Sequence, residues 1–129
     1  DIARIPEMKL CADQLWKNTG LGPADIQVAN IYDHFTPLFL PQLEEFGFCE
    51  KGEAKEFLRD GNIDMDGSLP TNTNGGQLGE AYIHGMNGIA EAVRQIRGTS
   101  VNQVKNVENA LVTAGTSVPT SALILSQDN

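Results

Sequence analysis

Basic residues are scarce in this chain. Its 129 residues hold nine Lys and Arg against seventeen Asp and Glu, a net charge of −8 with histidine neutral. Binding nucleic acid needs a basic footprint that displaces counterions from phosphates, so nucleic acid is a poor partner. The same charge argues against docking on an anionic membrane surface. No apolar run is long enough to span a bilayer. The opening DIARIPEMKL lacks the charged start and apolar stretch of a signal peptide. The chain begins without Met, which fits a fragment or a processed product. There are two cysteines, Cys11 and Cys49, and no C-x-x-C pair. The favoured reading is two reduced, buried thiols of an intracellular, cytoplasmic protein. Sequence leaves a disulfide between them open.

Metal and nucleotide signatures are also missing. The two histidines, His34 and His84, stand fifty positions apart and form no H-x-x-x-H or H-E-x-x-H. Paired with Asp33 or Glu80 they make only a weak metal site, and no metal is expected. There is no G-x-x-x-x-G-K-[ST]. Gly75-Gly76-x-x-Gly79 lacks the G-x-G-x-x-G spacing and does not sit directly on a strand-to-helix turn. Asn62 to Gly67 resembles the start of a calcium loop, but position twelve is Thr73, not the bidentate Glu such loops require. Internal repeats and low-complexity tracts are absent.

What remains is ordinary globular material, 40% hydrophobic and 20% charged, enough for one domain with a core. Apolar spacing predicts a helix from about Pro6 to Asn18, ended by Gly20 and Gly22. A short strand over Ile26 to Ile31 places Ile26, Val28 and Asn30 on one face. A turn is expected near Pro37, then a helix from about Pro41 stopped by Gly47. A second short helix covers Glu53 to Arg59. Residues 61–76, rich in Gly, Asn, Asp and Thr, read as a long functional loop. The strongest helix is expected over Ile83 to Arg97, with Met86, Ile89, Ala90, Val93, Ile96 and Arg97 as its stripe. Two strands, Asn109 to Thr113 and Ser121 to Ser126, close the chain. The order α-β-α-α-loop-α-β-β predicts an α/β layered fold with a mixed sheet.

The chain has only two tyrosines, Tyr32 in IYDHF and Tyr82 in EAYIHG, each beside the end of an element. By residue chemistry alone, both read first as amphipathic packing residues with their hydroxyls at the rim. An unperturbed phenol titrates near 10 and is a poor base at neutral pH, although a helix N-terminus beside Tyr82 would stabilise a phenolate.

Set together, these segments resemble the carboxyl-terminal part of the thiolase superfamily. That part carries N-E-A-F after a strand, then N-G-G, five residues and the H of G-H-P, then a C-x-G loop between two strands. Tyr32-Asp33-His34-Phe35 falls where N-E-A-F would be. Asn74-Gly75-Gly76 and five residues place Tyr82 where the histidine would be, and Thr113-Ala114-Gly115-Thr116 falls at C-x-G without a cysteine. The resemblance covers roughly residues 7–126. With IYDHFTP and YIHGMNGIAEAVRQIRG it points to one branch, the lipid-transfer-protein-like relatives of sterol carrier protein x thiolases, some of which are steroid side-chain retro-aldolases.

The resemblance implies a thiolase-like C-terminal domain over residues 1–129, without the N-terminal half to which the family's nucleophilic cysteine belongs. It implies cleavage of a β-hydroxy acyl-CoA to a ketone and a shorter acyl-CoA, with the CoA thioester as substrate and no cofactor. Tyr32 would take the hydroxyl proton and Tyr82 would protonate or steady the enolate, or the reverse. Asp33, His34 and His84 would support them. Asn74, Gly75, Gly76 and Gly115 would form the substrate loop, its glycines admitting the thioester. A homodimer is implied, together with a small partner bearing a zinc ribbon and an oligonucleotide-fold-like domain, without which residues 1–129 would be inactive. Two other readings stay open: a noncatalytic acyl-CoA or sterol-binding homologue, and a true thiolase that uses residues from the other half.

Overall fold

The computed structural model describes residues 5–128. Pro6 opens α1 (Pro6–Thr19), where its fixed φ and missing N–H cost nothing. Gly20 closes it in the left-handed conformation, its N–H on the Trp16 carbonyl at 2.9 Å. A 3₁₀ turn at Pro23–Asp25 leads into β1 (Val28–Asn30). This strand is shorter than expected at both ends. Ile26 is tied back to Pro23, and the backbone groups of Ile31 bond to a side chain instead of a strand.

The turn expected near Pro37 is a 3₁₀ segment, Thr36–Leu38, which runs into α2 (Phe39–Glu45). Pro41 lies in the first turn of α2, where a missing donor is tolerated. Gly47 ends this region at φ 82°. α3 (Ala54–Arg59) follows. The long segment after it is well tied: Leu69 N–H meets the Asn62 carbonyl at 2.8 Å, Thr71 N–H meets Ile63 at 3.1 Å, and Thr71 bridges Ala29 in parallel. The segment ends in an unexpected single helical turn, α4 (Gly76–Gly79).

α5 (Met86–Arg97) begins three residues later than the sequence suggested. His84 and Gly85 both take positive φ, at 44° and 90°, which no helix accommodates. Tyr82 therefore stands on a turn ahead of the helix. β2 (Asn109–Ala114) and β3 (Ser121–Ser126) complete the sheet. Its order is β1-β2-β3, with β1 parallel to β2 and β2 antiparallel to β3. The α/β fold with a mixed sheet is thus as expected.

Alternation along the strands gives the sheet two buried faces. Ala29 and Leu111, with Ile31 just beyond β1, pack with Met8, Ala12, Leu43 and Phe46 under α1 and α2. Val28, Ala110 and Val112 pack with Ala92 under α5. Ile26 was expected to share a face with Val28, but it joins the α1–α2 side because it lies outside the ladder. The α5 stripe also differs from expectation. Met86 and Ala90 are exposed, and the buried positions are Asn87, Glu91, Ala92 and Gln95. Their polar atoms are paired: the Glu91 carboxylate accepts from Thr73 at 2.5 Å, Ser100 at 2.6 Å and Gln95 at 3.0 Å.

Candidate active site

Tyr32 lies two residues past the end of β1, where the ladder no longer supplies partners. Side chains replace it. Asn72, itself left-handed at φ 51°, acts as a strand edge for Ile31, accepting its N–H at 2.7 Å and donating to its carbonyl at 2.9 Å. The Tyr32 N–H donates to Thr113 Oγ1 at 2.9 Å, and Gln42 Nε2 donates to the Tyr32 carbonyl at 2.6 Å. Gly85 lies against the Tyr32 ring, where a Cβ would stand 3.5 Å from Tyr32 Cε2.

Tyr82 is placed by a different set of bonds. Asn87, in the first turn of α5, accepts the Ile83 N–H at 2.9 Å and donates to the Ala81 carbonyl at 2.6 Å. It also donates to Glu80 at 3.2 Å, and Asn74 donates to the same carboxylate oxygen at 2.6 Å. The turn that presents Tyr82 is thereby bound to both the N-G-G loop and α5.

The two phenol oxygens are hydrogen-bonded to each other, and either can be the donor. The rings meet edge to face, with centroids 6.3 Å apart. His34 packs on Tyr32 at 4.8 Å and His84 on Tyr82 at 5.0 Å, so four rings run in sequence from His34 to His84. Burial pushes the Tyr32 phenol up to about 12, with the Tyr82 hydrogen bond and the charges of Tyr82 and Asp33 adding to the rise. Tyr82 is 44% exposed.

The remaining expected site residues are shaping elements around this pair. Asp33 accepts the Gln77 N–H at 2.7 Å at the start of α4. Gly76 has no room for a Cβ, which would lie 2.1 Å from Asp33 Oδ2. Asn74 accepts the Gly76 N–H at 3.1 Å, and Gly75 is left-handed at the α4 entry. Gly115 was expected to admit a thioester. The space its Cβ would fill is instead occupied by the Pro119 carbonyl at 2.2 Å, so closure of its own loop accounts for that glycine.

The metal, calcium and cysteine readings meet the same geometry. Asp33 and Glu80 are engaged by loop donors, and among the described residues no cluster of three His, Cys, Asp or Glu forms a metal site. Asn62, the would-be first calcium ligand, bonds to Phe57 and Ser68. Cys11 and Cys49 are free and half-buried rather than buried. Burial raises both thiols, and nearby Glu44, Glu53 and Glu50 help bring Cys49 to about 11.

Sequence reasoning missed Thr113 as a contact of Tyr32, along with Gln42, Asn72, Asn87 and Gly85. Asn72, Gly85 and Asn87 carried a local signal, each being part of a Gly/Asn-rich run, whereas Gln42 and Thr113 carried none.

Comparison with known proteins agrees with this architecture. Residues 1–127 match the thiolase C-terminal domain-like family. The chain is 67% identical over 128 residues to a steroid side-chain-cleaving aldolase of Thermomonospora curvata, covering 99% of this chain and 33% of that protein. It is 69% identical over 121 residues to a 17-hydroxy-3-oxo-4-pregnene-20-carboxyl-CoA lyase of Mycobacterium tuberculosis, covering 94% of this chain and 31% of that protein. A solved structure named Ltp2-ChsH2(DUF35) aldolase superposes with a TM-score of 0.95 at 68% identity, over 97% of this chain and 33% of that one. The chain thus spans about a third of the length of these relatives, and it belongs to the thiolase C-terminal domain-like family.

Proposed function

We propose that this chain carries the two proton-transfer phenols of a retro-aldolase that cleaves a steroid β-hydroxy acyl-CoA to a ketone and a shorter acyl-CoA. The observation that carries this reading is the direct hydrogen bond between Tyr32 and Tyr82. The names of the relatives, an aldolase and an acyl-CoA lyase, support the reaction class.

Retro-aldol cleavage moves one proton from the β-hydroxyl oxygen to the α-carbon while the Cα–Cβ bond breaks. The bonding pair passes into the thioester as an enolate, and the β-carbon becomes the ketone carbonyl. Two hydrogen-bonded phenols perform this transfer as a relay. The Tyr32 oxygen receives the substrate proton, its own proton passes to the Tyr82 oxygen, and the Tyr82 proton goes to the α-carbon. Neither phenol has to ionise beforehand, which suits a Tyr32 whose pKa is raised to about 12. His34, tilted on the Tyr32 ring, and His84, edge-on to the Tyr82 ring, would hold the relay in register. Asp33, Asn74, Gly75 and Gly76 would shape the loop beside it.

The thioester would be substrate, with no cofactor. The solved relative whose name joins two components supports a partner protein, and the partner's small size, its zinc ribbon, its part in the acyl-CoA site and the homodimer belong to the same proposal. The test uses the full-length protein assembled with its partner and a steroid β-hydroxy acyl-CoA. Equal amounts of ketone and shorter acyl-CoA are expected. Tight binding without either product would leave a noncatalytic binder, and CoA-dependent thiolysis would indicate a thiolase.

A further inference from the structure

We propose that Thr113 and Gln42 are positioning residues that clamp the backbone of Tyr32 and thereby fix the reach of its phenol toward Tyr82. The inference rests on the relay reading above and extends it to residues that touch no substrate.

The clamp is a closed circuit. Thr113 Oγ1 accepts the Tyr32 N–H at 2.9 Å and donates its single proton to Gln42 Oε1 at 2.8 Å. Gln42 Nε2 returns to the Tyr32 carbonyl at 2.6 Å and uses its second proton on the Leu38 carbonyl at 2.8 Å. Thr113 is 2% exposed and Gln42 is 0% exposed, so no water competes for these bonds. The circuit ties three elements to one residue: β2 through Thr113, α2 through Gln42, and the segment beyond β1 through Tyr32 itself. Without it, both backbone groups of Tyr32 would be orphans beyond the end of a three-residue strand.

The identity of Thr113 sharpens the point. It holds the place where the C-x-G pattern puts a cysteine, yet its hydroxyl hydrogen is committed to Gln42 and its oxygen to a backbone amide. A group so engaged has no proton to give a substrate. At this position the fold holds a neighbouring phenol in place instead of a reacting thiol.

The experiment measures steady-state cleavage by the assembled full-length enzyme carrying Thr113→Val, Thr113→Ser, Gln42→Met and Tyr32→Phe. Thr113→Val keeps the shape and deletes the hydroxyl. It should lower kcat about tenfold or more while moving KM by less than about twofold. Thr113→Ser, which keeps the circuit, should recover most of that loss. In a Tyr32→Phe background Thr113→Val should add nothing further, because the clamp acts only through that phenol. If Thr113→Val does not fold, Gln42→Met decides on the same readings. Wild-type kcat in the folded clamp variants, or a loss that multiplies with Tyr32→Phe, would overturn the clamp. Wild-type turnover in Tyr32→Phe would instead overturn the relay beneath it.

Discussion

Tyr32 is held from behind by buried side chains of α2 and β2, whereas Tyr82 stands on a turn hydrogen-bonded to Asn74 and Asn87, with Arg94 3.9 Å from its Glu80 carboxylate. One phenol is an extension of the core, and the other an extension of a polar loop. The difference assigns them different liabilities. Tyr32 is protected but depends on long-range contacts. Tyr82 is open to a ligand but depends on a few local bonds.

The largest expected effects come from the phenols themselves. Tyr32→Phe and Tyr82→Phe should each lower turnover by about 10²- to 10⁴-fold, the range for loss of a positioned acid or base. Neither should move Tm much. Tyr32→Ala, by contrast, should destabilise the protein by roughly 1–3 kcal/mol more than Tyr82→Ala, since Tyr32 is half-buried against Gly85 while Tyr82 is exposed. Equal melting losses for the two alanine variants would erase the distinction between the two regions.

Gly76→Ala comes next. The added methyl meets the Asp33 carboxylate at 2.1 Å and sits at φ 67°, so about 2 kcal/mol or more of stability should be lost along with much of the activity. Asn87→Ala is milder. It frees the Ile83 amide and the Ala81 carbonyl and should cost about 1–2 kcal/mol. Hydrogen exchange should quicken over residues 80–85 and stay unchanged around Tyr32. Faster exchange at both places would mean that the two holdings are not separate.

The subtlest test is pH. The Tyr32 phenol titrates near 12 in the fold and near 10 when unfolded. The raised value means that its contribution to stability is complete below pH 10 and is lost as pH climbs toward 12. A relay needs both protons, so kcat should be flat through neutral pH and fall in this alkaline window. A rate that climbs steadily as the phenol ionises would indicate a preformed phenolate base. Tyr82→Phe should also bring the Tyr32 titration, followed by phenolate absorbance, part of the way back toward 10.

Much of the fold was legible because its signals are local. Pro6, Gly20 and Gly98 mark helix ends through φ alone, and short apolar runs mark β2 and β3. The spacing from Asn74-Gly75-Gly76 to Tyr82 was likewise visible. The start of α5 was not, because His84 takes a left-handed φ that its residue type does not announce. The buried face of α5 was misread because Glu91 and Gln95 look solvent-facing until Thr73, Ser100 and Asn102 arrive from elsewhere in the chain to pair with them. The clamp on Tyr32 joins residues 81 apart in sequence, and no periodicity reports such a contact.

The central claim is that Tyr32 and Tyr82 work as one unit. It is tested most directly by comparing the Tyr32→Phe/Tyr82→Phe double variant with each single variant in the assembled enzyme, at saturating substrate. A relay broken at one link cannot be broken again, so the double variant should turn over no more slowly than the worse single variant. A double variant whose loss is the product of the two single losses would contradict it and make the two phenols independent.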